Sequence, residues 1–159
     1  MPLVLTIDAK QALTIVERAA LRVRARGKPI IAAGFKRAGV IYLDYLGKRF
    51  DRYSAGGGDW APLAPSTLAQ KKGTRKLYET GGLRRSLDPG GRHNLLLATH
   101  RGMRAGTRHP LAFVHQNGSR DRNIPARRFV VAPTPAVRQR MSNAVDRAVG
   151  EVLRMAVGK

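Results

Sequence analysis

The sequence predicts an α+β domain: two N-terminal helices, the second one long, then a small antiparallel sheet in the middle, and a long C-terminal helix packed on that sheet. Three observations lead there. Apolar residues recur at spacings of three and four at both ends of the chain. Glycine, proline and other turn residues crowd the middle. Within that middle stretch the pattern changes to short apolar runs of strand length. The 159 residues suit one domain, with a helical part (1–54), a loop-rich part carrying the sheet (55–131) and the C-terminal helix (132–159). At 43% hydrophobic residues the chain can build a core, which excludes wholesale disorder.

From the N-terminus, Pro2 to Ile7 alternates like a short strand. Asp8 then caps a helix, with Gln11 completing a capping box. Leu13, Val16, Ala20 and Val23 make its apolar face, and Arg18, Arg22, Arg24 and Arg26 its outer one. Gly27 and Pro29 are expected to break it. A second helix spans about Pro29 to Tyr53 with two stripes: Ile31, Phe35, Ala38, Tyr42 and Tyr45, and then Val40, Leu43, Leu46 and Phe50. Two stripes mean burial on two sides, against the domain itself and a neighbouring subunit. Ser54 to Asp59, with Gly56, Gly57 and Gly58 in a row, reads as a flexible hinge. No Gly-Lys-Ser/Thr follows to make it a phosphate loop.

Beyond it, Trp60, Pro62, Leu63 and Pro65 form an apolar corner, and Ser66 or Thr67 caps a short helix to about Lys71. Thr80 caps another that bears Leu83 and Leu87, with Arg84 and Arg85 outside. His93 to Thr99 and Gly102 to Gly106 read as a hairpin. Leu111 to His115 is a helical turn ended by Asn117-Gly118, and Arg127 to Val131 a further strand. Thr134 caps the last helix, with Pro135 at its first position. Met141, Val145, Ala148, Val152 and Met155 give that helix its packing stripe.

Charge is the outlier: 30 Lys and Arg against 10 Asp and Glu, a formal net charge of +20. Such a chain suits nucleic acid, acidic protein surfaces or a packed assembly. The basic residues are dispersed, and no tail-like charge run occurs. The absence of cysteine removes disulfides, thiolate nucleophiles and cysteine-type zinc sites. No signal peptide and no run of membrane-spanning length is visible, so a protein made in the cytoplasm is expected.

The chemistry of a site is hard to find. None of His93, His100, His109 and His115 sits in a His-Glu-x-x-His spacing, and none has an acid three or four residues on. The acids lie singly at caps, turns and helix surfaces, not paired as general acid–base catalysis by two carboxylates requires. No serine sits in Gly-x-Ser-x-Gly. The sequence therefore points away from an enzyme and calls for no cofactor and no metal. Aromatic residues do not interleave with basic ones as an RNA-binding sheet requires.

Five short pieces, in order, carry a resemblance. They are Trp60-Ala61-Pro62-Leu63 with Ser66-Thr67-Leu68; Leu77 and Thr80-Gly81; Leu83-Arg84-Arg85-Ser86-Leu87; Leu111-Ala112-Phe113-Val114-His115-Gln116-Asn117-Gly118; and Ile124-Pro125-Ala126-Arg127-Arg128-Phe129. Over about Trp60 to Val131 the chain resembles the phage virion-morphogenesis, or tail-completion, family. Gly82 fills a variable place, Leu111 replaces the family's usual aromatic, and the +20 charge is not a trait of the family. By residue chemistry alone, Trp60 and the prolines fix a corner, Asn117-Gly118 supplies a turn, and Pro125 sets the entry to a strand. Arg127 either bridges subunits or holds an internal carboxylate.

The resemblance implies a structural virion protein of a tailed phage or prophage. It would form a ring at the neck or the head-proximal tail end, complete the tail and join it to the DNA-filled head. The implied partners are further copies of itself, six-fold by tail symmetry through heterologous contacts, neck or connector proteins, and tail-tube or tail-terminator proteins. Genomic DNA in the channel is another, and no membrane is involved. Lys71, Lys72, Arg75, Lys76, Arg84 and Arg85 are the expected contacts to DNA or to acidic partners. The alternative, resting on charge alone, is a nonspecific DNA-binding protein.

Overall fold

The computed structural model describes residues 17–157 apart from residue 19. The Pro2–Ile7 strand, the Asp8 cap and the face residues Leu13 and Val16 lie outside the described residues. Helix α1 runs Lys28–Ser54, about 40 Å at 1.5 Å per residue. The expected break at Gly27 and Pro29 is not there. Residues 20–22 are helical, and Val23–Gly27 form a π turn flanked by helical backbone at Arg22 and Lys28. Proline lacks an N–H and its ring crowds the carbonyl four residues back. A π turn, bonded five residues apart, absorbs that mismatch without ending the helix.

Both stripes of α1 are covered within the chain. Leu43, Leu46 and Phe50 are fully buried, the last two in the main core with Trp60, Leu83, Leu87 and Phe129. Phe50 is its hub, edge-to-face with Trp60 at 5.4 Å and with Phe129 at 5.8 Å. Such aromatic pairs add about 0.5–1.5 kcal/mol each beyond area burial. Of the other stripe, Tyr42 and Tyr45 also pack on that core; helix α5, Pro135–Val157, packs on α1 and the sheet with its main contact along α1, where it faces Gly27 and Gly34. That stripe therefore does not require a neighbouring subunit. Val40, expected in the second stripe, lies at its outer edge and is 38% exposed.

Close approach is what makes the α1–α5 pair possible. A Cβ on Gly34 would sit 2.6 Å from the Ala148 Cβ and 3.3 Å from the Ala144 carbonyl oxygen, and one on Gly27 would meet Val152 at 3.2 Å. Val137, Ala148 and Val152 are buried, and Met141, Val145 and Met155 half-buried, as the predicted stripe requires. Thr134 caps α5 as expected, its Oγ1 accepting the Val137 N–H at 3.4 Å.

The sheet is a single hairpin, β1 (Asn94–Thr99) antiparallel to β2 (Gly102–Thr107), with Leu96 opposite Ala105 and Leu97 opposite Arg104. Leu96, Met103 and Ala105 face α1, where the bare backbone of Gly39 receives Leu96. The Gly56–Gly58 run is a helix stop rather than a free hinge. Gly56 and Gly57 donate to the Tyr53 and Arg52 carbonyls at 3.2 and 2.9 Å, and Arg52 Nε returns a bond to the Gly57 carbonyl at 2.9 Å.

Gly34→Ala tests the helix contact. Helix propensity gains about 1 kcal/mol, but overpacking costs about 1–3 kcal/mol, and neither Ala148 Cβ nor a backbone oxygen can rotate away. Urea unfolding followed by circular dichroism should show a net loss of stability, partly restored by adding Ala148→Gly. An unchanged or raised midpoint would mean that the helices part without cost.

Candidate functional site

The corner that opens the middle region is built by polar bonds to backbone. Trp60 Nε1 donates to the Arg128 carbonyl at 3.1 Å, and Lys76 Nζ to the Trp60 carbonyl at 2.7 Å. Buried Ser54 holds Lys76 twice: its Oγ donates to the Lys76 carbonyl at 2.6 Å, and its own carbonyl accepts the Lys76 N–H at 2.9 Å. Helix α2, Pro65–Gln70, follows with Ala64 at its cap position. Ser66 and Thr67 are therefore inside the first turn and do not cap it. Proline at the first helical position starts the helix one residue earlier, where its missing N–H costs nothing.

Helix α3, Gly82–Arg85, has Gly81 at its cap position with φ +73°. Thr80 stands one residue ahead of its predicted place and accepts the Gly82 N–H at 3.3 Å. Behind it, buried Ser86 donates to the Leu83 carbonyl at 2.6 Å, shares a 2.7 Å bond with Thr107 Oγ1, and its carbonyl accepts from Asn94 Nδ2 at 3.1 Å. Ser86 thus fastens α3 to both strands of the hairpin.

Helix α4, Ala112–Asn117, ends at Gly118 with φ +78°. The turn is closed by a Ser119–Ile124 bridge. Gly118 is packed so closely that a Cβ would lie 2.8 Å from the Ile124 carbonyl oxygen and 2.9 Å from the Ala126 nitrogen. Both the handedness and the contact exclude a side chain there.

The expected strand at Arg127–Val131 does not form; the segment is irregular, bends at Val130 and pairs with no strand. Its backbone is satisfied by single groups instead. Gln116 Oε1 accepts the N–H of Phe129 at 3.1 Å and of Val130 at 3.0 Å, and its Nε2 donates to the Val130 carbonyl at 2.7 Å. The Arg127 N–H donates to the His115 carbonyl at 2.7 Å, and Tyr42 Oη to the Val131 carbonyl at 2.8 Å. One amide side chain presents both a donor and acceptors, as a paired strand would. No sequence pattern marks Gln116, which stands between His115 and Gly118.

Arg127 is 5% exposed. Its Nε donates to the Ala61 carbonyl at 3.1 Å and its Nη2 to the Pro62 carbonyl at 2.9 Å. Of its two expected roles, bridging subunits or holding an internal carboxylate, the second finds no carboxylate partner among the described residues. Burial lowers its pKa from the ordinary arginine value.

The corner, α3 and the α4 turn enclose an open groove of about 1270 Å³. Pro62, Leu63, Thr67, Leu77, Thr80, Gly81, Leu83, His115, Gly118, Pro125, Ala126 and Arg127 all line it. Other residues of the same five pieces do not line it: Trp60, Ser86, Leu87 and Phe129 are buried, while Leu68, Arg85 and Phe113 are exposed outside it. Pieces separated by up to 65 residues in the chain, such as Pro62 and Arg127, thus meet at one place. Among the described residues no group of three or more His, Asp or Glu could hold a metal ion, and no helix is long and apolar enough to cross a membrane.

Most of the expected contact cations are already engaged. Arg84 lies between Asp51 at 2.9 Å and Asp88 at 2.6 Å. Burial lowers its pKa, but the bonds to Asp88 and Asp51 outweigh that and raise it. Arg75 reaches Asp51 at 3.6 Å and stacks 4.2 Å over the Tyr78 ring. Lys71 is mostly covered, 3.8 Å from Glu79, and Lys76 holds the corner. Lys72 and Arg85 are exposed. The 71–76 loop is largely a piece of the fold.

No protein-family model, no curated protein and no solved structure matches the chain.

Two outcomes follow from this geometry. Gln116→Leu strips partners from three backbone groups and should cost at least about 3 kcal/mol in urea unfolding, each unmet group costing about 1–3 kcal/mol. Asn117→Ala, which loses one exposed bond to the Phe113 carbonyl, should cost under about 0.5 kcal/mol. A small loss for Gln116→Leu would mean that water replaces the amide.

The second outcome concerns pH. Burial, then Arg127, then His109 lower the His115 pKa below its ordinary 6.5, and burial, then His93, does the same for His109. The unfolded chain binds protons first, so this stability is complete above about pH 6.5 and is lost as pH falls through the folded-state values. His115→Gln should flatten the dependence of the unfolding midpoint between about pH 7 and 5. An unaltered slope would remove His115 as its source.

Proposed function

We propose that the protein is a structural component of a tailed-phage virion, acting at the neck or head-proximal tail end to complete the tail and join it to the filled head, without catalysis. The observation that supports this reading most is the convergence of the motif pieces. Residues from each of the five pieces that match the tail-completion pattern line one groove. That is what a docking surface held by its own scaffold looks like. Further copies of the chain and neck, connector or tail-tube proteins are the proposed partners, assembled in a ring whose heterologous contacts close on themselves. The ring is no longer supported by α1, because the core and α5 occupy the face once assigned to a neighbour.

A second reading, nonspecific DNA binding, is favoured by α5. Arg140, Arg147 and Arg154 recur every seven residues on one exposed flank, with no carboxylate in ion-pair distance among the described residues. Such a row suits phosphate contact.

Deleting the gene from its parent phage or prophage and examining the lysate by negative-stain electron microscopy separates the two. Filled heads beside unattached tails, rescued by the gene in trans, are expected. Normal infectious particles would sink the joining role and bring DNA binding forward.

A further inference from the structure

We propose that the groove beside Arg127 binds an extended acidic peptide segment, apolar on its other side, from a partner protein. The virion reading above supplies only the source of that segment, a neighbouring structural protein; the groove chemistry stands without it.

The first observation is an unbalanced charge. A guanidinium carries five N–H donors, and Arg127 spends two of them on the Ala61 and Pro62 carbonyls. It is buried and lines the groove, yet no carboxylate among the described residues comes within ion-pair distance. A buried charge held only by dipoles is costly, and an incoming carboxylate offsets that cost.

The rim repeats the pattern. Arg120 and Arg122 are exposed on the turn closed by the Ser119–Ile124 bridge, with no side-chain bond or ion pair among the described residues. Glu79 is the one acid lining the groove, and it faces Lys71.

Size and lining select the ligand. Small-molecule sites occupy about 300–1,000 Å³; this groove is larger and open. Exposed Pro62, Pro65, Leu111 and Pro125 give it apolar walls. An extended chain sends alternate side chains to opposite sides, so alternating acidic and apolar residues meet the arginines and the walls together. Duplex DNA, stiff over about 50 nm, touches only the rim of a concave site.

The test uses the full isotope-labelled chain in about 0.15 M salt and a synthetic nonapeptide alternating Asp and Leu, with an Asn/Leu counterpart. Amide shifts should concentrate at Leu63, Gly81, Ser119 and Ala126. Because Arg127 also ties the corner, the rim carries the variant: Arg120→Gln with Arg122→Gln should weaken binding about tenfold. Arg138→Gln with Arg140→Gln, on α5, should change it less than about twofold. Shifts scattered over the surface, equal losses in both pairs, equally tight binding of the Asn/Leu peptide, or displacement by millimolar inorganic phosphate would each overturn the proposal. A phage deletion without a joining defect leaves these peptide results unaffected, so the two readings fail separately.

Discussion

Helix α1 has to hide two apolar stripes at once, and the rest of the molecule is arranged by that need. The C-terminal half of the helix takes the aromatic core around Phe50, Gly39 takes the hairpin, and the N-terminal part around Gly27 and Gly34 takes α5. These neighbours come closer than ordinary side chains permit because α1 is bare where they land. Gly34 receives Ala148, Gly39 receives Leu96, and Gly47 lies under the Arg84 guanidinium at 2.9 Å for a built Cβ. Glycine inside a helix costs about 0.5–1 kcal/mol relative to alanine. Three such positions are tolerated because each allows a packing contact that a Cβ would block.

The second organising rule is that buried backbone must be paired. The region from Trp60 to Val131 has one short hairpin and long stretches with no ladder to join. Single side chains therefore take over: Gln116 for Phe129 and Val130, Arg127 for Ala61 and Pro62, Ser54 for Lys76, Trp60 for Arg128. These bonds tie the two walls of the groove to each other and to α1. They explain how a loop-rich region holds a defined shape.

Charge divides along the same lines. Where the fold spends cations, it spends them on Asp51, Asp88, Glu79 and on carbonyls, as at Arg84, Arg75 and Lys76. Arg120 and Arg122 at the groove, and Arg140, Arg147 and Arg154 on α5, are left to solvent. Surface ion pairs contribute little to stability, about 0–1 kcal/mol each. The surplus positive charge therefore acts outward, on whatever approaches the surface.

Sequence periodicity and turn chemistry alone determined the α+β class, the apolar stripes of α1 apart from exposed Val40, the hairpin to within a residue of its observed ends, and the Thr134 cap with its following helix. These features rest on local spacing and turn chemistry, which neighbouring residues carry with them. Only tertiary structure decided what covered those stripes, because an apolar face does not specify its partner and α5 lies about a hundred residues away. It also turned the expected break at Pro29 into a π turn, since α5 packs across Gly27 and holds the helix together there. The Arg127–Val131 segment shows the limit most clearly. Its residues favour an extended chain, but it bends at Val130 instead, and whether such a segment becomes a strand depends on what presents donors and acceptors beside it. Here that was one glutamine side chain, and no local pattern announces such a partner.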